Sequence, residues 1–390
     1  MAIICLEILF WSGIGLLIYA YFGYPLLLFV LNKIIPSQKQ IRADEIKDWP
    51  QVGFLIAAYN EEKVIGDKIE NFLKLNYPKE LIDIWIASDG SSDKTNSIVK
   101  SFMESNKNIH LLEFLRTGKS EVLNKAMNHI ESEIVVFSDA NTEYAPDAIK
   151  AIVKYFADPQ VGCVSGRLVY RNPGEIISGK GESFYWRYET ILKKMESEIG
   201  YVAGANGAIY AIRRELFSPL PPRTINDDFT TSMQIVEKGY KSIYEQNAIA
   251  YEDVAPTMKS EFKRHVRDGA GHYIAIIHLL GLLNPFLGLR SFIYWSHRIF
   301  RWIAPFLLML LFIINIFIFE DSIYKYLFII QSIFYLLAIT GWIFIKNNKL
   351  PFLIYAPFYF CSLNLALFLG FLRVITKTQK TTWERTERTL

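Results

Sequence analysis

Four runs without a charged side chain decide what this chain can be. Residues 8–31 form the first, and it is long enough to cross a bilayer. Residues 303–319, 326–345 and 350–372 are the others, the first of them at the short limit, with Arg301 and Trp302 before it as an interfacial anchor. The N-terminal run lacks a basic leader and a small-residue cleavage site, which predicts an uncleaved anchor rather than a signal peptide. Between it and the later three, residues 49–273 have ordinary globular composition. The predicted division is an anchor at 1–32, a globular domain at 49–260, a basic, amphipathic interfacial segment at 261–302, membrane helices at 303–373 and a basic tail at 374–390.

Lys33, Lys39 and Arg42 follow the first run, so the positive-inside rule predicts a cytoplasmic globular domain. Three further spans would then carry the tail outside, yet Arg373, Lys377, Lys380, Arg385 and Arg388 favour the inside. Either the segment around Pro351 and Pro357 is re-entrant or the charge bias loses. With 42 basic against 39 acidic residues, no nucleic-acid or other polyanion partner is implied. Cys5, Cys163 and Cys361 lie too far apart for metal-ligand spacing or a disulfide framework, and are expected to be packing residues.

The globular stretch alternates strands with helices. Residues 52–58 read as a strand stopped by Tyr59-Asn60-Glu61-Glu62, and 63–75 has helical apolar spacing. A second strand at 82–87 ends in Ser88-Asp89-Gly90-Ser91-Ser92-Asp93, and a third at 109–114 leads through Gly118-Lys119 into a helix. A fourth, Ile134-Val135-Val136-Phe137, ends in Ser138-Asp139-Ala140-Asn141. This order argues for a mostly parallel α/β sheet that delivers each polar cluster to one edge, where ligands bind. Asp139 and Asn141 there can face a divalent cation, though an Asp/Asn turn closing a strand uses the same residues. Asp89 suits a base or ribose hydroxyl. Ser91 and Asp93 suit a turn capping the next helix. Lys119, at a helix start, suits a diphosphate. Neither a Walker-type loop nor a Gly-x-Gly-x-x-Gly turn is present.

Gly204-Ala205-Asn206-Gly207 is a small-residue loop that fits close ligand approach or a plain hairpin. Asn226-Asp227-Asp228 opens a helix, as a cap or with one carboxylate facing the cleft as general base. The helix N-terminus is expected to keep that carboxylate ionised. Arg264 and Arg267 share a helix face and suit phosphate oxygens or anionic lipid.

With these motifs in order, the chain resembles the family 2 glycosyltransferases, in particular the membrane-integrated branch of cellulose, hyaluronan and poly-N-acetylglucosamine synthases. The resemblance runs over residues 50–272. It implies a GT-A fold at 49–260 and an inverting transfer from a nucleotide-diphosphate sugar, with UDP the family's usual carrier. The acceptor would be a saccharide or lipid-linked saccharide of cell-surface polysaccharide synthesis. By resemblance, Ala57, Tyr59, Glu61, Asp89, Lys119, Asp139, Arg264 and Arg267 would bind the nucleotide sugar. Gly204, Ala205, Asn206 and Asp227 would face the sugars, Asp139 and Asn141 would hold Mg2+ or Mn2+, and Asp228 would be the base. Asn141 stands where the family has a second metal carboxylate, and Asp227 where a glutamate is common. Asp268 stands where it has a tryptophan, which removes a stacking surface and weakens the case for a processive polymerase. The alternatives are a non-processive transferase acting on a polyprenyl-linked acceptor, a transporter with a nucleotide-binding domain, and a catalytically dead structural partner. The uncharged runs carry no ionisable residue of the kind transport pathways use, and the dead partner would need Asp89, Asp139 or Asp228 lost.

Overall fold

The computed structural model describes residues 1–35, 46, 48–171, 177–253, 257–345 and 350–380. The chain opens with α1 (Ala2–Ile18) and α2 (Tyr24–Ile34), which continue one another through a wider turn at Tyr19–Gly23. The globular part then runs β1 (Val52–Ala58), α3 (Ile65–Leu73), β2 (Ile82–Asp89), α4 (Thr95–Ser105), β3 (Ile109–Phe114), α5 (Lys119–Ala126) and β4 (Ile134–Phe137). It continues through β5 (Glu143–Tyr144), α6 (Ala148–Val153), β6 (Val161–Arg171), α7 (Ile177–Ile199), β7 (Tyr210–Arg213), α8 (Asp227–Glu237) and β8 (Lys241–Asp253). After it come α9 (Met258–His278), α10 (Leu289–Ile293), α11 (Phe300–Trp302), α12 (Ala304–Phe317), α13 (Ser322–Phe344) and α14 (Phe352–Ile375).

The eight strands form one sheet in the order β3-β2-β1-β4-β7-β6-β8-β5. β2 and β4 flank β1 in parallel, and β3 pairs β2 in parallel, as the strand-helix alternation predicts. The far half is mixed. β7 runs antiparallel to both β4 and β6, β8 is parallel to β6, and β5 is antiparallel to β8. β8 has no counterpart in the sequence analysis. Its pairing with β6 shifts register between Ser165 and Arg167, and such an irregularity interrupts the two-residue period by which a strand is recognised.

Every residue of β1 is buried. Phe54 and Ile56 face one core layer with Phe72 and Ile86, while Leu55 and Ala57 face another with Val122 and Val135. That is why β1 reads as an unbroken apolar run: both faces are covered. Phe54 stacks on Phe72 of α3, ring centroids 4.1 Å apart, and so fixes the helix that closes this side of the sheet.

Among the described residues, three stretches are long and apolar enough to cross a membrane: Ile3–Ile34, Ser322–Phe344 and Phe352–Ile375. A fourth arises if Leu289–Trp302 and Ala304–Phe317, bent by 55° at their junction, count as one broken span or re-entrant loop. The bend therefore lies here, and α14 continues as helix through Pro357. α14 packs closely on α9, since a Cβ added at Gly269 would lie 3.2 Å from the Leu367 backbone.

Replacing Phe54 with alanine removes the ring that joins β1 to α3. We expect a loss of about 3–5 kcal/mol, measured as a lowered unfolding midpoint of the purified protein in detergent.

Candidate active site

The carboxyl ends of the strands deliver the predicted polar clusters to one edge. Two loops there are tied together before any ligand is considered. Ser92 N–H donates to Asn60 Oδ1 at 2.8 Å, Asn60 N–H to Ser91 Oγ at 3.1 Å, and Glu61 N–H to Thr95 Oγ1 at 2.8 Å. Asp93 accepts from Thr95 N–H at 3.0 Å, so it opens α4 as the turn chemistry predicts. Asp89 is buried. Its carboxylate accepts from Thr117 N–H at 2.7 Å and Gly118 N–H at 3.1 Å, and therefore anchors the loop leading into α5. Beside it the Arg116 guanidinium lies over the Tyr59 ring, 3.0 Å from the centroid.

That anchored loop sets Lys119. Its ammonium is 2.9 Å from Asp139 Oδ1 and 3.3 Å from Asp227 Oδ1. Burial works against this charge, but Asp139 and Asp227 outweigh it and hold the ammonium well above the ordinary lysine range. Asp228 comes next in α8, its Oδ1 accepting from Phe229 N–H at 2.8 Å. A Cβ on Gly207 would lie 3.4 Å from both Asp139 Oδ2 and Asp228 Oδ2, so the two carboxylates converge over this glycine. Burial, with Asp227 next to it, raises the Asp228 carboxyl to about 6, against the pull of Lys119. This corrects the expectation that the helix N-terminus keeps Asp228 firmly ionised. Desolvation and a like charge prevail over it.

A cleft of about 1820 Å³ contains these groups. Of the predicted residues it is lined by Lys119, Asp139, Ala205, Asn206, Asp227, Asp228, Arg264 and Arg267. Ala57 lines a small crevice behind Lys119 and Asp227. Tyr59, Glu61 and Asp89 belong to the tied loops rather than to the cleft wall. Asn141 does not line the cleft; its amide nitrogen donates to Glu252 Oε1 at 2.9 Å, which leaves its carbonyl oxygen as the remaining donor atom. Gly204 works from behind: its φ of +100° and the Phe229 ring against it admit no side chain.

Several contributors escaped the sequence. Lys68, fully buried in α3, donates to the Thr142 carbonyl at 2.7 Å and lies 4.0 Å from the centre of the Tyr144 ring. Burial pulls its affinity for protons well below the ordinary lysine value, and it braces the turn after β4. His272 stacks on Trp302 at 4.7 Å, and its Nδ1 accepts from the Asn226 amide at 2.9 Å. Burial lowers this imidazole to about 4, so it is neutral and suited to accept that bond. Trp302 lines the cleft, an aromatic surface supplied from far along the chain to a region where Asp268 replaces the expected tryptophan.

A buried ionic network lies under the loop before Gly204. Glu196 accepts from Tyr24 OH at 2.6 Å and from Ala203 N–H at 2.9 Å, and its other contact is His297 Nδ1 at 2.6 Å. Glu189 faces His297 Nε2 at 3.2 Å and Arg301 at 2.6 Å. Arg298 closes the circuit by donating to the Ala203 carbonyl at 2.8 Å. The only local sign was three basic groups within a stretch otherwise rich in apolar residues.

No group of three or more His, Cys, Asp or Glu side chains among the described residues is arranged to hold a metal ion. Asp139 and the nearby Asp228 bring hard oxygen donors into the cleft, whereas Asn141, turned toward Glu252, does not. One or two carboxylates completed by substrate phosphates is a pattern that Mg2+ accepts. The donor set fits a cation that arrives with a diphosphate.

Residues 54–219 match the model of the family described as glycosyl transferase family 2. A poly-beta-1,6-N-acetyl-D-glucosamine synthase of Staphylococcus aureus (strain COL) is 27% identical over 264 residues, covering 67% of this chain and 62% of that protein. A beta-monoglucosyldiacylglycerol synthase of Nostoc sp. is 28% identical over 242 residues, 60% of this chain and 50% of that one. The chain thus spans between half and two thirds of these relatives' lengths. The solved structure of the mannosyltransferase PcManGT from Pyrobaculum calidifontis, in complex with GDP-Man and Mn2+, is 22% identical. It covers 95% of this chain and 99% of its own, with a TM-score of 0.70, and shows the GT-A-like fold.

Gly204→Ala is expected to cost roughly 1–3 kcal/mol, from left-handed strain and collision with Phe229. A lowered unfolding temperature of the detergent-purified variant checks it.

Proposed function

We infer that this protein transfers a sugar from a nucleotide-diphosphate sugar to an acceptor hydroxyl with inversion, as the match of residues 54–219 to the glycosyl transferase family 2 model supports. The observation that carries the proposal is the convergence of Asp139 and Asp228 over Gly207, with Lys119 paired to Asp139 and Asp227. Asp228 takes the proton of the acceptor hydroxyl as the oxygen attacks the anomeric carbon. The bond from that carbon to the diphosphate oxygen breaks, and the nucleoside diphosphate leaves with the electron pair. A single base suffices for one displacement, and one displacement inverts the centre. Lys119, Arg264 and Arg267 offer positive charge along the cleft wall to the leaving diphosphate. Asp139 would hold a divalent cation, Mg2+ or Mn2+, which would supply further charge to that diphosphate. Asp89, Tyr59 and Glu61 fix the loops at the nucleoside end. Ala205 and Asn206 face the sugars. The apolar helices support an integral membrane protein, and Lys33, Lys39 and Arg42 after the first of them favour a cytoplasmic globular domain.

Purified protein supplied with labelled UDP- and GDP-sugars tests this through nucleotide release and label transfer. Asp228→Asn should lower kcat at least a hundredfold with a small change in donor KM. Retention of substantial turnover removes Asp228 from the base role. The base must be ionised, so kcat/KM should fall as pH drops through about 6, the value to which burial raises Asp228. Removing divalent ions with EDTA should abolish transfer, and added Mn2+ or Mg2+ should restore it.

A further inference from the structure

The turn that carries Asp139 is held from behind by α3. Residues 138–142 join β4 to β5, and the face of α3 that packs on them presents Lys68 and Asn71, three apart. Asn71 exchanges two hydrogen bonds with the Tyr144 backbone, donating at 3.0 Å and accepting at 2.8 Å. Lys68 goes deeper. It is 2% exposed, and its ammonium donates to the Thr142 carbonyl at 2.7 Å and to Thr142 Oγ1 at 2.9 Å. The rings of Phe72 and Tyr144 close around it, with centroids at 4.4 and 4.0 Å. Burial opposes the charge, while Asp139, Glu143 and Glu252 favour it. A methionine in this place would cost less to bury. What the ammonium adds is direction, not packing.

An ammonium has hydrogens to give and no lone pair to offer, so Thr142 Oγ1 must accept from it. The single hydroxyl hydrogen of Thr142 is then left for the Asp139 carbonyl at 3.0 Å, with the Ala208 carbonyl at 3.4 Å as the other acceptor. Ser138 Oγ lies 3.1 Å from the same Asp139 carbonyl, and Tyr144 OH donates to that of Ala208 at 3.2 Å. Ser138, Thr142 and Tyr144 are all buried. This polar knot ties two backbone segments together. One carries Asp139, and the other follows Gly207, the glycine over which Asp139 and Asp228 converge. Lys68 itself does not line the cleft. We propose that Lys68 is a positioning residue for the divalent cation of the donor: through Thr142 it fixes the peptide of Asp139, and with it the carboxylate that would hold the metal. This rests on the reading of Asp139 as the metal carboxylate and deepens it by naming the group that sets its aim.

The test is Mn2+ binding by the full chain in detergent, with UDP or GDP present in excess. Bound ion is read from the loss of the free Mn2+ signal in electron paramagnetic resonance. Lys68→Met, which keeps the bulk and removes the donors, should weaken Mn2+ affinity about tenfold. Thr142→Val, which removes only the relaying hydroxyl, should weaken it about fivefold. Thr142→Ser, which keeps that hydroxyl, should stay within about twofold of wild type, a rescue that a merely structural role for the side chain's bulk would not give. If Lys68→Met does not fold, the Thr142 pair decides alone. Lys68→Met or Thr142→Val binding Mn2+ as wild type does overturns the proposal, whatever its unfolding midpoint, and so does a Thr142→Ser protein as weak as Thr142→Val. Asp139→Asn is measured alongside. Loss of Mn2+ in that variant with wild-type affinity in the Lys68 and Thr142 variants leaves the metal reading standing without Lys68, whereas wild-type affinity in Asp139→Asn overturns both.

Discussion

Three carboxylates crowd one half-buried corner, and Lys119 places its ammonium against two of them. Its two ion pairs hold Asp139, from the end of β4, against Asp227, from the start of α8. These residues come from distant parts of the sequence, and the sheet only brings their backbones to the same edge. The ammonium sets their final approach. Lys119 is itself placed by a loop pinned on Asp89, so a carboxylate two strands away determines where the central charge sits. The elevated proton affinity of Asp228 comes from its burial and from this crowding.

The parallel half of the fold was legible because its strands are covered on both faces and its turns are polar. Val52 to Ala58 and Ile134 to Phe137 announce themselves, and so do the clusters that stop them. The mixed half was less so, since β8 pairs through shifted registers and its alternation is broken. The central carboxylates, Lys119 and the two arginines were all visible as motifs, and one cleft does contain them. Asn141 was visible as a motif too, but its amide turns toward Glu252, a partner on the undetected β8.

What stayed hidden depends on burial, which sequence spacing does not report. Lys68 looks like the solvent side of a helix, yet it is enclosed, with a carbonyl and two aromatic rings around its ammonium. Trp302 and His272 meet only because α9 and the α10–α11 segment fold back on α8. Their stacking fills a region where the local sequence offers Asp268 instead of an aromatic ring. The expected interfacial segment is also more than a surface helix. It bends by 55° into α12, and its basic residues point at buried glutamates.

Those glutamates give the segment a further meaning. Ala203 is gripped at its N–H by Glu196 and at its carbonyl by Arg298, and Glu196 also holds Tyr24 of the first apolar helix. The peptide that leads into the loop at 204–207 is therefore registered against the apolar helices, not just against the sheet. A globular part cut free of these helices would lose the reference frame for that loop. In this architecture the apolar helices work as a jig for the cleft, and truncating them would dismantle the tool along with its mooring.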